Sequence, residues 1–269
     1  MAADHADILI PPECLTMIRT GALVAISTSG GKDSQAMTVL LSRIVPRDRL
    51  LAIHAPLAEV EWPGTVEHIR STLPPGIPLI LAPVASGKTL LARVAERGKW
   101  PDPARRWCTS DFKSGPIERE LRRYLKANPR FGGRIVSAMG MRAQESPARV
   151  RKTPWKPNER NSRAGRTWFD WLPIFNLSER EVFRVIRNAG QPPHPAYAMG
   201  MSRLSCVFCI MASRGAARAA ARLQPALYRR YADLERRIGH TLSPSGIPLP
   251  ELTGISVPPR DSLDAAPLL

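Results

Sequence analysis

The chain has 269 residues, a formal net charge of +16 at pH 7 and a pI near 10.8. That length buries a real core as one main domain with an appendage. No apolar run approaches the roughly twenty residues that span a bilayer, and Asp4, His5 and Asp7 interrupt the segment ahead of Glu13 where a secretion signal would need a basic and then an apolar stretch, so a cytoplasmic protein without membrane contact is expected.

Residues Ala22 to Ile26 form an apolar run that reads as a buried strand, and Gln35 to Leu41 reads as a helix. Between them lies Ser29-Gly30-Gly31-Lys32-Asp33-Ser34. A strand that breaks at glycines and opens a helix suits an anion, because the backbone approaches closely and the first N–H groups of the helix point at the ligand. The spacing is neither that of a Walker loop nor that of a dinucleotide fingerprint. Strands follow at Leu50 to Ala55, Ile77 to Leu81 and Gly133 to Met139, with helices at Thr65 to Leu73, Leu90 to Arg97 and Pro116 to Lys126. Alternating strands and helices predict an α/β fold with a largely parallel, twisted sheet flanked by helices, with ligands bound beyond the carboxyl ends of the strands. Lys152 to Arg166 reads as a mobile polar loop. Ser178 and Glu181 form a capping-box pattern before an apolar helix. Ala216 to Arg237 reads as one long helix, and the proline-rich stretch from Ser243 as an irregular tail. The expected organisation is a nucleotide-binding domain over 15–150, a basic loop plus a helical, cysteine-bearing extension over 151–240, and a tail over 241–269.

Basic residues cluster at Arg149, Arg151, Lys152, Lys156, Arg160, Arg163 and Arg166, and again along the late helix from Arg214 to Arg237. Such clusters read either as solvated faces or as a nucleic-acid groove. Of four cysteines, Cys206 and Cys209 form a Cys-x-x-Cys pair. In a cytoplasmic chain that pattern indicates metal, cluster or redox chemistry before a disulfide.

The Ser29–Ser34 segment resembles the pyrophosphate loop of the PP-loop ATP pyrophosphatases. Three further stretches are similar to the phosphoadenosine phosphosulfate (PAPS) reductase family: Arg106-Trp107-Cys108 with Lys113, Gly140-Met141-Arg142 with Glu145, Ser146 and Arg149, and His194-Pro195-Ala196-Tyr197 leading to Cys206 and Cys209. The resemblance covers about residues 20 to 212. It implies an adenine nucleotide alpha hydrolase-like fold. It also implies ATP or a related adenine nucleotide, with Mg²⁺, bound by Ser29, Gly30, Gly31, Lys32, Asp33, Ser34, Gly140, Arg142, Glu145, Ser146 and Arg149. Lys32, Asp33, Lys113, Arg142 and Cys108 become the candidate catalytic residues. The guanidinium of Arg142 suits phosphate or sulfate, Lys113 adds a point charge on the same ligand, and Asp33 is the carboxylate for Mg²⁺. Glu145 partners either the metal or Arg149. Where related enzymes carry an acidic segment this chain has Pro56, Leu57 and Ala58, and Glu59 or Glu61 stands in.

The cysteines narrow the reading. No cysteine follows Cys209, whereas assimilatory PAPS reductases use one in a late Glu-Cys-Gly-Leu-His motif. Cys108, Cys206 and Cys209 are expected to hold a [4Fe–4S] cluster with one open iron, or alternatively zinc completed by His194; packed free thiols are the plain alternative. The expected function is cleavage of an adenine nucleotide at the α phosphate in support of sulfur transfer, resembling DNA phosphorothioation components and tRNA thiolases. DNA or tRNA and a sulfur-donor protein are the expected partners. The alternatives are a reductase that releases sulfite, or a non-catalytic nucleic-acid-binding subunit.

Overall fold

The computed structural model describes residues 8–57 and 59–257. In chain order the elements are α1 (Pro12–Arg19), β1 (Leu23–Ser27), α2 (Lys32–Ile44), β2 (Leu50–His54), α3 (Thr65–Thr72), β3 (Leu79–Leu81), α4 (Leu90–Arg97), α5 (Trp107–Thr109) and α6 (Gly115–Ala127). They continue with β4 (Arg134–Met139), α7 (Pro147–Val150), β5 (Trp155–Pro157), β6 (Thr167–Trp171), α8 (Glu179–Asn188), α9 (Arg214–Leu223), α10 (Pro225–Ile238) and α11 (Leu249–Thr253). Two compact units result. Of the described residues, 8–56, 64–82 and 115–195 form the first, and 57, 59–63, 83–114 and 196–257 the second. This interleaved division differs from the expected sequential segments, and residue 150 falls inside the first unit.

The first unit is built on a six-stranded sheet in the order β3-β2-β1-β4-β6-β5. All neighbours are parallel except β5, which runs antiparallel to β6. The strands are apolar on both faces, as a sheet covered by helices on each side requires. Val24 and Ile26 face one core with Met37, Leu40 and Leu41 of α2 and Val182, Val185 and Ile186 of α8. Leu23 and Ala25 face the other with Leu121 and Leu125 of α6, Phe131 and Trp168. The expected α/β fold is therefore present. The chain leaves β1 toward β2 and β3 and then returns to place β4 on the other side of β1. This makes the carboxyl ends of β1 and β4 the switch point where such sheets hold ligands.

The second unit is mainly helical. Val94 of α4, Phe112, Phe208, Ala220 and Ala221 of α9, and Tyr228, Tyr231 and Leu234 of α10 share one apolar core. Trp100 stacks on Tyr231 at 5.0 Å between ring centroids. The expected single helix over Ala216 to Arg237 is two helices, because Pro225 opens α10 and Gln224 before it takes φ −132°, ψ 62°. The stretch from Ser243 holds α11, and residues 258–269, with Pro258 and Pro259, lie outside the described residues, as do Ala58 and the amino-terminal Asp4, His5 and Asp7. No helix among the described residues is long and apolar enough to cross a membrane.

Candidate functional site

The glycine loop follows β1 directly and opens α2. Gly30 takes φ +72°, a conformation that disfavours side chains, and a Cβ there would sit 3.1 Å from Cγ2 of Thr65. Ser34 folds the loop back on itself. Its hydroxyl donates to the Gly31 carbonyl at 3.0 Å and accepts from the Ser29 backbone N–H at 3.1 Å, and the two serine hydroxyls lie 3.3 Å apart. Gly31 is the N-cap of α2 without a side-chain cap, so the first-turn N–H groups have no intrahelical acceptor and favour an anion.

Around this loop the chain collects charge in a buried setting. Lys32 is 3% exposed, with Nζ 3.4 Å from Asp33 and 3.2 Å from Glu179. Arg142, also 3% exposed, donates from Nε to Asp33 Oδ1 at 2.6 Å and from a terminal nitrogen to Gln144 at 2.8 Å and the Leu177 carbonyl at 3.2 Å. Arg142 reaches Asp33 because β4 ends beside β1. Gly140 makes the approach possible, since a Cβ there would lie 2.9 Å from backbone atoms of both Asp33 and Ser34. The carboxylate of Glu145 accepts the Arg142 N–H at 2.9 Å and pairs with Arg149. Ser146 is the N-cap of the four-residue α7. The structure thus brings Lys32, Asp33 and Arg142 together and pairs Glu145 with Arg149.

The remaining candidates lie in the second unit. Cys108 sits on α5, Lys113 in the π-helical turn Ser110–Ser114, and Cys206 and Cys209 in the segment ahead of α9. They share one electrostatic neighbourhood. Burial pushes the Cys206 thiol up to about 11, while Lys113 pulls it back down. Burial likewise raises Cys108, against a hydrogen bond from Thr109. The Lys113 ammonium is held above its ordinary range first by Cys206, then by Cys209, Glu61 and Cys108. Cys209 Sγ accepts the Met211 N–H at 3.4 Å. Glu59 accepts from the Leu91 N–H at 2.9 Å and pairs with Arg230 at 2.9 Å. Cys14, by contrast, is wholly buried in the first unit's core, where burial pushes its thiol up to about 12.

A family model for the phosphoadenosine phosphosulfate reductase domain matches residues 23–212. The chain belongs to this family. Among curated proteins it is 28% identical over 129 residues to an uncharacterized 37.8 kDa protein of Escherichia phage 186, a match spanning 48% of this chain and 37% of the phage protein. The chain therefore matches little more than a third of that relative's length. Among solved structures it is similar to PAPS reductase from Candida auris in its phosphate complex, with a TM-score of 0.50 and 16% identity, over 74% of this chain and 88% of that one. It is also similar to Candida glabrata FMN adenylyltransferase with FAD and inorganic pyrophosphate, with a TM-score of 0.44 and 15% identity, over 68% of this chain and 55% of that one. The likeness to the reductase shows the shared fold.

Among the described residues no group of three or more His, Cys, Asp and Glu side chains is arranged to hold a metal ion. His194, the expected fourth zinc ligand, is buried in the first unit, its Nε2 3.4 Å from the Thr65 hydroxyl and its ring edge-on to His68. Two site features escaped the sequence. Glu179 pairs with Lys32, although Ser178 and its capping box mark the start of α8 just beside it. The Tyr231 hydroxyl is fully buried with no hydrogen-bond partner among the described residues, and Cys206 is the first charge that disfavours its ionisation after burial. Glu179 and Tyr231 stand outside the quoted motifs, and only the folded chain brings them to these positions.

Proposed function

We propose that this PAPS reductase-family protein binds ATP or a related adenine nucleotide with Mg²⁺, cleaves it at the α phosphate and supports transfer of sulfur to a nucleic acid. The observation that carries the reading is the Ser29–Ser34 loop, closed by Ser34 at the switch point of the sheet with Lys32, Asp33 and Arg142 buried beside it. An acceptor oxygen attacks the α phosphorus, the α–β anhydride bond breaks, and pyrophosphate leaves into the loop. First-turn N–H groups and Lys32 stabilise the charge that develops there. Asp33 would be the carboxylate that holds Mg²⁺, which would neutralise the phosphates, and Arg142 fixes Asp33. Glu145, Ser146 and Arg149 shape the wall after β4. Sulfur delivered by a donor protein as a persulfide on one of Cys108, Cys206 and Cys209 attacks the adenylated acceptor, AMP leaves, and attack by a second of these thiols on the resulting acceptor–S–S–Cys bond frees the thiolated acceptor and leaves a cysteine disulfide for an external thiol to reduce. Lys113 supports this chemistry by favouring the anionic form of the neighbouring sulfur. No step here passes through an iron–sulfur cluster or zinc. The family match itself supports a second reading, reduction of a sulfonucleotide with release of sulfite.

The test is protein purified without oxygen, analysed for iron, acid-labile sulfide and zinc, and then incubated with ATP, Mg²⁺, a sulfur donor and DNA or tRNA as acceptor. Release of AMP and pyrophosphate, lost in Lys32→Ala and Asp33→Ala, is the expected result. Absence of turnover under every metal and acceptor condition overturns the enzyme. Sulfite release from either sulfonucleotide with thioredoxin moves the assignment to the second reading. Iron with sulfide would show that the three cysteines regroup around a cluster, and zinc that they regroup around a structural ion.

A further inference from the structure

We infer that the amino-terminal end of the first unit's sheet is a groove for the phosphodiester backbone of a nucleic acid. This deepens the nucleic-acid part of the proposed function and rests on it. The groove is a cavity of about 670 Å³ lined by Arg119, Arg122, Arg123 and Lys126 of α6, with Arg166 and Gly133 opposite. The four α6 cations are spaced i, i+3, i+4, i+7, which places them on one helix face. The floor is backbone against backbone. Gly133 takes φ +71°, and a Cβ there would lie 2.5 Å from the Gly165 carbonyl oxygen, so no side chain fills the cleft.

A second concavity of about 450 Å³ lies at the start of β2 and ahead of β3, lined by Arg47, Arg130 and Tyr124. Tyr124 lines this one and its neighbour Leu125 the other, so the last turns of α6 stand between them. The strand order puts β2 and β6 three spacings apart, about 14 Å. Basic side chains thus line two concavities at this end of the sheet. A regularly charged polymer fits such a spread of charge better than a compact anion. Duplex DNA presents about one charge per 1.7 Å of axis, and guanidinium forks match phosphate oxygens. Of the acids nearby, Glu120 pairs with Arg119 at 2.8 Å and Arg123 at 2.9 Å, Glu118 pairs with Arg160 at 2.7 Å and Arg122 at 3.9 Å, and Asp48 lines the second concavity among Arg47 and Arg130. A bilayer fits poorly, because Leu125 is the one large apolar residue in the 670 Å³ cavity and it is buried. The groove lies at the opposite end of the sheet from the Ser29–Ser34 loop. The six residues of β4 separate the two, about 20 Å, so this surface anchors the polymer and does not bind the nucleotide.

The test uses the full chain and labelled duplex and single-stranded DNA of mixed sequence, with affinity measured from about 0.05 to 0.2 M salt. The probe variant is Arg123→Gln with Lys126→Gln. The control is Arg70→Gln with Arg187→Gln, which removes the same charge from exposed positions on α3 and α8. Loss of at least about tenfold in affinity and of about 2 in the salt slope, in the probe variant alone, is expected. Affinity for a non-hydrolysable ATP analogue should be unchanged in both. If the probe variant is poorly folded by circular dichroism, Lys126→Glu alone, at an exposed site near the helix end, repeats the comparison. Equal binding by parent, probe and control overturns the groove while leaving a nucleic-acid acceptor standing. No binding by the parent at the lowest salt overturns both, even if anionic vesicles or an acidic peptide bind.

Discussion

Gly140 shows how one missing side chain sets the geometry of a site. Its α-carbon faces the backbone of Asp33 and Ser34, and a methyl group there would meet atoms at 2.9 Å that belong to main chain rather than to a flexible side chain. Gly140→Ala must therefore push the glycine loop away from the end of β4, and with it the Asp33–Arg142 pair. Overpacking of this kind costs about 1–3 kcal/mol. We expect a lowered melting temperature and an affinity for a non-hydrolysable ATP analogue reduced by at least about tenfold, about 1.4 kcal/mol in binding. Unchanged binding by calorimetry would show that the loop tolerates displacement and that the close approach is incidental. The importance of Gly140 was legible in the sequence because it stands at the end of an apolar strand and inside a recognisable motif. Glu179 was not: a glutamate in the first turn of a helix is explained by the helix dipole alone, and only the fold brings it to Lys32. Cys14 could be set apart from the other thiols by its place in the chain, but its burial among α1, α2 and α8 side chains is a property of packing.

At the level of elements, the sequence punctuates clearly where the signal is local and poorly where it depends on partners. The Ser178–Glu181 capping box is formed with both reciprocal bonds. The strands β1, β2 and β4 fall within a residue or two of their apolar runs. β5 was hidden in a polar, basic stretch, because three residues carry no period and Pro157 is tolerated only at the sheet edge, where β5 in fact lies. α11 was hidden in the proline-rich stretch, although Pro250 near its start is compatible with a first helical turn. Arg214, Arg218 and Tyr228 hydrogen-bond residues 252–255, and one buried carboxylate ties down the chain ahead of them. Glu235 of α10, 4% exposed, accepts the backbone N–H of Leu242 at 2.6 Å and of Leu249 at 2.8 Å. Burial raises its pKa, while those two N–H groups pull it down. Glu235→Ala leaves two buried donors unsatisfied, a cost of about 2–4 kcal/mol. The expected result is a lower urea midpoint with α11 detached, read as hydrogen exchange at Leu249 to Thr253. Glu235→Gln, which keeps an acceptor oxygen, should recover part of the loss.

For the whole molecule, the interleaved chain divides the candidate residues between two units. The Ser29–Ser34 loop with Arg142 is built by the sheet of the first, and Cys108, Cys206, Cys209 and Lys113 by the helical core of the second. Sites that do not couple behave additively, so a double variant reads whether the two act separately. Cys206→Ser removes a thiol whose ionisation is set by burial and by Lys113, and it touches none of the loop contacts. It should leave binding of the ATP analogue within about twofold of the parent, well under 1 kcal/mol, and abolish sulfur transfer to the acceptor. Lys32→Ala should do the reverse, ending pyrophosphate release while leaving alkylation of Cys206 unchanged. In the double variant the two losses should combine without interaction. If Cys206→Ser weakens nucleotide binding as severely as Lys32→Ala, the thiols belong to nucleotide recognition. If sulfur transfer survives in Cys206→Ser and also in Cys108→Ser and Cys209→Ser, sulfur reaches the acceptor from another carrier, and the second unit has a structural role.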